Sequence, residues 1–177
     1  RAAEEQGKTH FLVVGRMSPE KGHDKMLRAF ARVHAQHPRT ALWCLGDGPL
    51  RASIEDRIRE MDLGRSVHLL GLVPNPFPCL KASDCLVMPS DHEGQPLILL
   101  EAMTLGKPIL ATDIDGVNAL LREHAYGRLV ENSEDGLVQG MLDFIEKGMD
   151  LPAFDVEKYQ RSALDDFRRK VLGRPGK

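Results

Sequence analysis

No stretch of this chain reaches the roughly eighteen consecutive apolar residues that a membrane span needs. Its amino end also lacks the apolar core of a signal peptide. Any membrane association expected from the sequence is therefore peripheral. Cysteine is scarce: Cys44, Cys79 and Cys85 are an odd number without metal-ligand spacing, and Cys44 and Cys85 fall inside apolar runs. They read as buried, reduced thiols, which fits the cytosol. Neither sign of charge is in excess, since 24 Lys and Arg stand against 26 Asp and Glu and the pI is near 6.4. Without a global basic field, nucleic acid is not expected as the main partner, and any anion must be held by local bases. Two nucleotide signatures are missing as well. No glycine-x-glycine-x-x-glycine follows the first expected strand, the Gly46-Asp47-Gly48 turn lacks a third glycine, and no glycine-lysine-serine phosphate loop occurs. Nicotinamide and ordinary nucleoside triphosphate chemistries are demoted accordingly.

With 177 residues, 42 % hydrophobic and 28 % charged, the chain is long enough for one domain with a real core. Residues 1–9 are polar and aperiodic and read as a linker remnant. Residues 10–150 repeat a strand, turn and helix unit, and residues 151–177 form a helix and tail packing on or beside the same domain. His10 to Gly15 reads as an apolar strand, and Gly22 to Gln36 as a helix with Met26, Leu27, Phe30, Ala31 and Val33 at helical spacing. Thr40–Leu45 is the next strand, Gly46–Pro49 a turn, and Leu50–Leu63 a helix that Gly64 ends. Further strands are expected over Ser66–Leu70, Asp84–Pro89, Lys107–Thr112 and Tyr126–Glu131. A helical turn runs from Asn75 to Lys81, and a short helix over Asp115–Arg122. Another helix is capped by Ser133 and stopped by Gly148, and a last amphipathic one runs from Val156 to Leu172. Continuously apolar strands alternating with helices predict an α/β fold: a doubly wound, Rossmann-like parallel sheet with helices on both faces. A ligand of such a sheet sits at the carboxyl ends of the strands, where the loops after Val14, Leu45, Leu70, Pro89 and Thr112 converge.

The most informative stretch runs from Ser90 to Gly106: a polar loop containing Glu93 and Gly94, then an almost wholly apolar helix opened by Pro96 and closed by Gly106. The start of such a helix offers free N–H groups to an anion, and Gly94 lets a ligand approach the backbone. Glu101 stands among Leu97-Ile98-Leu99-Leu100 and Ala102-Met103, where an ionised group is costly unless something donates hydrogen bonds to it. A ligand diol would do so. Glu93 and Glu101 can then face one pocket, although Glu93 reads equally as a solvated loop acid and Glu101 as the partner of a structural arginine. In the first loop Arg16 directly follows a strand and Lys21 enters a helix. Two fixed cations there would hold both phosphates of a diphosphate and stabilise it as a leaving group. Asp113-Ile114-Asp115 has the form of a metal-binding pair but sits in a turn where Asp serves as a cap. His34 and His37 have no third ligand and read as surface residues, and His92 as a polar loop residue.

Taken together, Gly15-Arg16 to Lys21-Gly22, Gly46-Asp47-Gly48-Pro49, the Leu70-Gly71 strand end, and Glu93-Gly94-Gln95-Pro96 to Glu101-Ala102 resemble the carboxy-terminal half of a retaining glycosyltransferase of family 4. The resemblance covers nearly the whole chain, and the seven residues between Glu93 and Glu101 match that family's paired-glutamate motif. It implies the two-Rossmann-domain architecture, in which this half holds a nucleotide-sugar donor and a separate amino-terminal half holds most of the acceptor. By that similarity Arg16 and Lys21 grip the diphosphate, Glu101 the ribose hydroxyls, and Glu93 a hydroxyl of the transferred hexose. Gly15 belongs to the same loop, backbone N–H groups from Gly94 to Leu97 face the sugar and distal phosphate, and Leu70, Gly71 and Leu72 flank the base. Arg16, Lys21 and Glu93 carry the catalytic electrostatics, and neither a cofactor nor a metal is needed. Gln95 departs from the family, where that position is usually aromatic or large and apolar. Similar loops occur among transferases that decorate cell-envelope polymers, so the expected setting is the cytoplasm, at the inner face of the membrane. The alternative is a nucleotide-sugar binding module that performs no transfer.

Overall fold

Successive side chains of a strand point to opposite sides of its sheet, and in this chain both sides are apolar. The computed structural model describes residues 7–94 and 96–172; Gln95, the start of the linker remnant and the tail after Leu172 lie outside the described residues. Six strands, β1 (Thr9–Val14), β2 (Thr40–Leu45), β3 (Val67–Gly71), β4 (Cys85–Met88), β5 (Ile109–Thr112) and β6 (Arg128–Val130), form one sheet in the order β3-β2-β1-β4-β5-β6. Every pairing is parallel, with Phe11 opposite Leu42 on one side of β1 and opposite Cys85 on the other. The helices between them are α1 (His23–Gln36), α2 (Arg51–Glu60), α3 (Phe77–Ala82), α4 (Leu97–Thr104) and α5 (Val117–Glu123); α6 (Glu134–Lys147) and α7 (Val156–Leu172) follow β6, and a 3-10 turn, Pro19–Lys21, precedes α1.

Two cores result. Phe11, Val13, Leu42, Val87 and Leu110 pack with Phe30 of α1, Ile54 of α2, and Leu137 and Met141 of α6. On the other face Leu12, Leu86, Met88 and Ala111 pack with Leu80 of α3, Leu99 and Met103 of α4, and Leu121 of α5. The doubly wound sheet expected from the apolar runs is therefore the observed one. Chain order reverses at β1, which lies between β2 and β4, so the loops after β1 and β4 part there and open a crevice at the carboxyl edge.

Most expected elements are present within a residue or two. The helix expected over Leu50–Leu63 stops at Glu60. Gly64 is not its terminator: Asp62 takes the left-handed conformation with φ 54, and the Leu63 N–H donates back to the Ile58 carbonyl at 2.9 Å. Asp tolerates that region because its short polar side chain bonds locally. Ser133 caps α6 by accepting from the Gly136 N–H at 3.0 Å. Helix α4 is less enclosed than its composition implies. Leu99, Ala102 and Met103 are buried, whereas Leu97 is 66 % exposed, because α4 packs on the core along one side only.

Candidate functional site

The carboxyl edge is tied together by its own backbone before any side chain is considered. The Gly15 N–H donates to Leu45 and the Gly46 N–H to Gly71, which joins β1, β2 and β3 at their ends. The loop after β1 is stitched to the loop after β2 by Met17 N–H to Asp47 and Leu50 N–H to Met17. It is joined to the loop after β4 by the Asp91 N–H donating to Glu20 at 2.8 Å. Gly22, at φ 67, lies so close to the end of β4 that a Cβ would come within 2.1 Å of the Pro89 carbonyl oxygen. Across the same junction Lys25, 13 % exposed, reaches Asp91 at 2.6 Å and also donates to Asn132.

This scaffold brings two of the expected residues into contact. Lys21 Nζ lies 2.8 Å from Glu93 Oε1 across the crevice, with side chains 24 % and 10 % exposed. The same oxygen accepts from Ser90 Oγ at 2.7 Å. Glu93 is thus no solvated loop acid. Glu101, expected deep among apolar neighbours, lies half-buried on the side of α4 away from Leu99, Ala102 and Met103. Among the described residues its carboxylate makes no hydrogen bond or ion pair, so no structural arginine holds it. Its spacing from Leu97 and Leu100 misled, because an eight-residue helix covered on one side leaves room for an acid on the other.

Arg16 is exposed and lines a cavity of about 580 Å³ with Val14, Gly15, Leu45, Gly46, Asp47, Gly48, Leu72, Val73 and Pro76. Gly71 anchors its floor by accepting from Gly46, and Leu72 is 79 % exposed at its rim. Leu70, 45 % exposed, does not line it. Gly94 is exposed with open space where a side chain would stand. Pro96 has no N–H to offer, and the Leu99 N–H is spent on the Pro96 carbonyl at 3.0 Å, so the run of donors expected from Gly94 to Leu97 is broken at Pro96. Gln95 lies outside the described residues.

The remaining titratable groups near the site have plain causes. His23 opens α1 directly behind Lys21 and is only 3 % exposed. Burial, with a smaller push from Lys21, drives its imidazole down to about 4. The Ser18 hydroxyl, 2.5 Å from the Glu20 carboxylate, holds that acid below its ordinary range. Asp113 accepts from the Asn118 side chain at 2.8 Å and pairs with Arg122 at 2.6 Å, which lowers its carboxyl in that order of importance. Asp113 therefore faces α5, and Gly116 rather than an aspartate caps that helix. His34 is not a surface residue, since its ring bridges the hydroxyls of Thr40 and Ser66 at 2.9 Å each and stacks on Phe30. Ser90, Thr112, Gly116 and His23 went unnoticed in the sequence. The three-residue step from Ser90 to Glu93 was the one local signal available.

Residues 1–161 match the family described as glycosyl transferases group 1. An uncharacterized glycosyltransferase of Methanocaldococcus jannaschii is 39 % identical over 103 residues, covering 58 % of this chain and 25 % of the relative. The UDP-Gal:alpha-D-GlcNAc-diphosphoundecaprenol alpha-1,3-galactosyltransferase of Escherichia coli is 32 % identical over 139 residues, 75 % of this chain and 35 % of the relative. The chain thus spans about a quarter to a third of the length of these curated relatives. Among solved structures, Anabaena HepE in complex with UDP superposes with a TM-score of 0.79 at 19 % identity, over 94 % of this chain and 50 % of that one. At that identity the likeness speaks for the fold, and it is the same Rossmann-like sheet. The match along the sequence goes further, running from the amino end past the loops that carry Lys21 and Glu93 and into α7, and on it the chain belongs to the glycosyl transferases group 1 family.

Proposed function

We propose that this chain is the carboxy-terminal, donor-binding half of a retaining glycosyltransferase of family 4. The complete protein would move a hexose from a nucleoside-diphosphate sugar to an acceptor of the glycan, lipid or cell-envelope polymer class, at the cytoplasmic face of the membrane. The observation that carries this reading is the Lys21–Glu93 pair at the point where strand order reverses, beside a cavity floored by the ends of β1, β2 and β3. A cation and a carboxylate at such a crevice suit a ligand with an anionic part and a hydroxylated part. The Escherichia coli relative is named for a UDP-linked galactose donor, and the Anabaena neighbour holds UDP.

In this reading the cavity takes the nucleoside, with Leu72 and Val73 against the base, and the unpartnered Glu101 takes the ribose diol. Arg16 and Lys21 receive the two phosphates, and Glu93 a sugar hydroxyl, beside the exposed backbone of Gly94 and Leu97. Chemistry follows from charge. As the bond from the anomeric carbon to the distal phosphate oxygen breaks, negative charge grows on the diphosphate and positive character on the carbon. Cations gathered on the diphosphate lower the barrier by stabilising the charge that grows on the departing oxygen, and one such donor is commonly worth about 10²–10³ in rate. The acceptor oxygen joins the carbon on the face the diphosphate leaves, and the proton of its hydroxyl passes to the departing phosphate oxygen. The amino-terminal half closes the cleft, and no metal ion is required.

Calorimetric titration of this chain with UDP, GDP and ADP, with and without EDTA, tests the proposal. At least one nucleotide is expected to bind in EDTA. No binding by any of them, or an absolute need for a divalent ion, overturns it. In the complete two-domain polypeptide Glu93→Ala is expected to abolish transfer; binding without transfer in the wild type would leave a binding module.

A further inference from the structure

We infer that Ser90, backed by Thr112, is a positioning residue for Glu93: it holds the carboxylate in place when the donor draws Lys21 away. The inference rests on the donor site proposed above. Its starting point is that Glu93 Oε1 carries two bonds, from Lys21 Nζ at 2.8 Å and from Ser90 Oγ at 2.7 Å. Among the described residues Oε2 has no partner. These two holders differ in kind. Lys21 is a flexible side chain, 24 % exposed, with three donors that a diphosphate competes for. Ser90 is 2 % exposed, and its hydroxyl donates to Glu93.

Its backbone is fixed from behind. Thr112, fully buried at the end of β5, donates its hydroxyl to the Ser90 carbonyl at 2.6 Å, with the Met88 carbonyl 3.3 Å away. Gly116, at φ 82, lies against the Glu93 and Gly94 carbonyls from the same side. A continuous path of hydrogen bonds therefore runs from the sheet through Ser90 to one oxygen of Glu93 and leaves the other for a sugar hydroxyl. Without the Ser90 hydroxyl, a diphosphate that captures Lys21 also frees the carboxylate to rotate. The sugar part of the donor is then recognised poorly, while the nucleotide part is untouched.

The test compares the affinities of UDP, GDP and ADP with those of UDP-glucose, GDP-glucose and ADP-glucose on this chain, using the base that binds best. The readout is the ratio by which the sugar improves binding, a quantity that general loss of fold does not move selectively. In Ser90→Ala the nucleoside diphosphate is expected to bind within about twofold of wild type, while the gain from the sugar falls about tenfold, the size of a hydrogen bond to a charged group. In a Glu93→Ala background Ser90→Ala is expected to add nothing. Ser90→Cys keeps the shape of the side chain, replaces the hydroxyl by a weak donor, and carries the same expectation if the alanine variant does not fold. Equal weakening of both ligands, additive effects of the two substitutions, or a wild type that gains nothing from the sugar would overturn the role of Ser90. Failure of the wild type to bind any of the three nucleotides would instead overturn the donor site itself.

Discussion

Substituting alanine for Gly94, Gly106 and Gly116 in turn separates backbone strain, steric contact and ligand access around one loop. Gly116 has φ 82, and a Cβ there would stand 2.7 Å from the Gly94 carbonyl oxygen and 2.8 Å from that of Glu93. Ordinary contact begins at about 3.5 Å, so the Glu93 loop or the start of α5 must withdraw by roughly 0.7 Å. Positive φ at a residue with a Cβ costs on the order of 1–3 kcal/mol, and displacing packed backbone adds a further cost of order 1 kcal/mol. A loss of about 2–4 kcal/mol is expected, which for a domain of this size lowers the melting temperature by roughly 5–12 °C. Gly106 has φ 63 but open space around it, so alanine there meets strain alone, about 1–2 kcal/mol. Gly94 has neither left-handed backbone nor a neighbour within 4 Å; its alanine variant is expected within about 0.5 kcal/mol of wild type. Yet Gly94→Ala places a methyl group where a donor sugar is proposed to approach, and its nucleotide-sugar affinity is expected to fall. Thermal and urea unfolding with calorimetric binding on the same samples would decide the matter. A Gly116→Ala protein as stable as wild type, or a Gly94→Ala protein less stable than Gly116→Ala, would refute the reasoning.

Three further outcomes are expected. His23 is neutral when folded and held near 4, so between about pH 6.5 and 4 only the unfolded chain takes up its proton, and acidification through that window removes about 3 kcal/mol of stability. The His23→Phe protein should lose less stability than wild type over the same window in urea titrations, and parallel losses would disprove the assignment. Cys44, pushed up to about 12 by burial, and Cys85, pushed higher still, should resist an aromatic disulfide reagent in the native protein while the partly exposed Cys79 reacts. Three fast thiols without denaturant would contradict that count. Glu101→Gln should leave stability within about 0.5 kcal/mol, because its carboxylate has no partner to lose. It should weaken a ribonucleotide more than its 2′-deoxy analogue, by up to about 1.5–3 kcal/mol, and equal losses for the two would remove Glu101 from the ribose.

The parallel sheet was legible along the chain because runs such as Phe11-Leu12-Val13 and Cys85-Leu86-Val87-Met88 are apolar at every position, a pattern that requires cover on both faces. Local chemistry also set most element ends: the serine hydroxyl at Ser133 and the left-handed glycine at Gly148 act through neighbours three or four residues away. The order of the elements and the spacing of Glu93 and Glu101 likewise pointed to the family. Contacts between distant segments were not legible. That Lys21 meets Glu93, 72 residues later, follows from the reversal of strand order at β1, which no local pattern encodes. The position of Glu101 on the side of α4 away from Leu99 and Met103 was not legible for a related reason: neighbours in sequence say how apolar a segment is, but only packing against the sheet decides which side of it is covered. Ser90 and Thr112 belong to the same class, since each hydroxyl acquires its meaning from an acceptor that another part of the fold delivers.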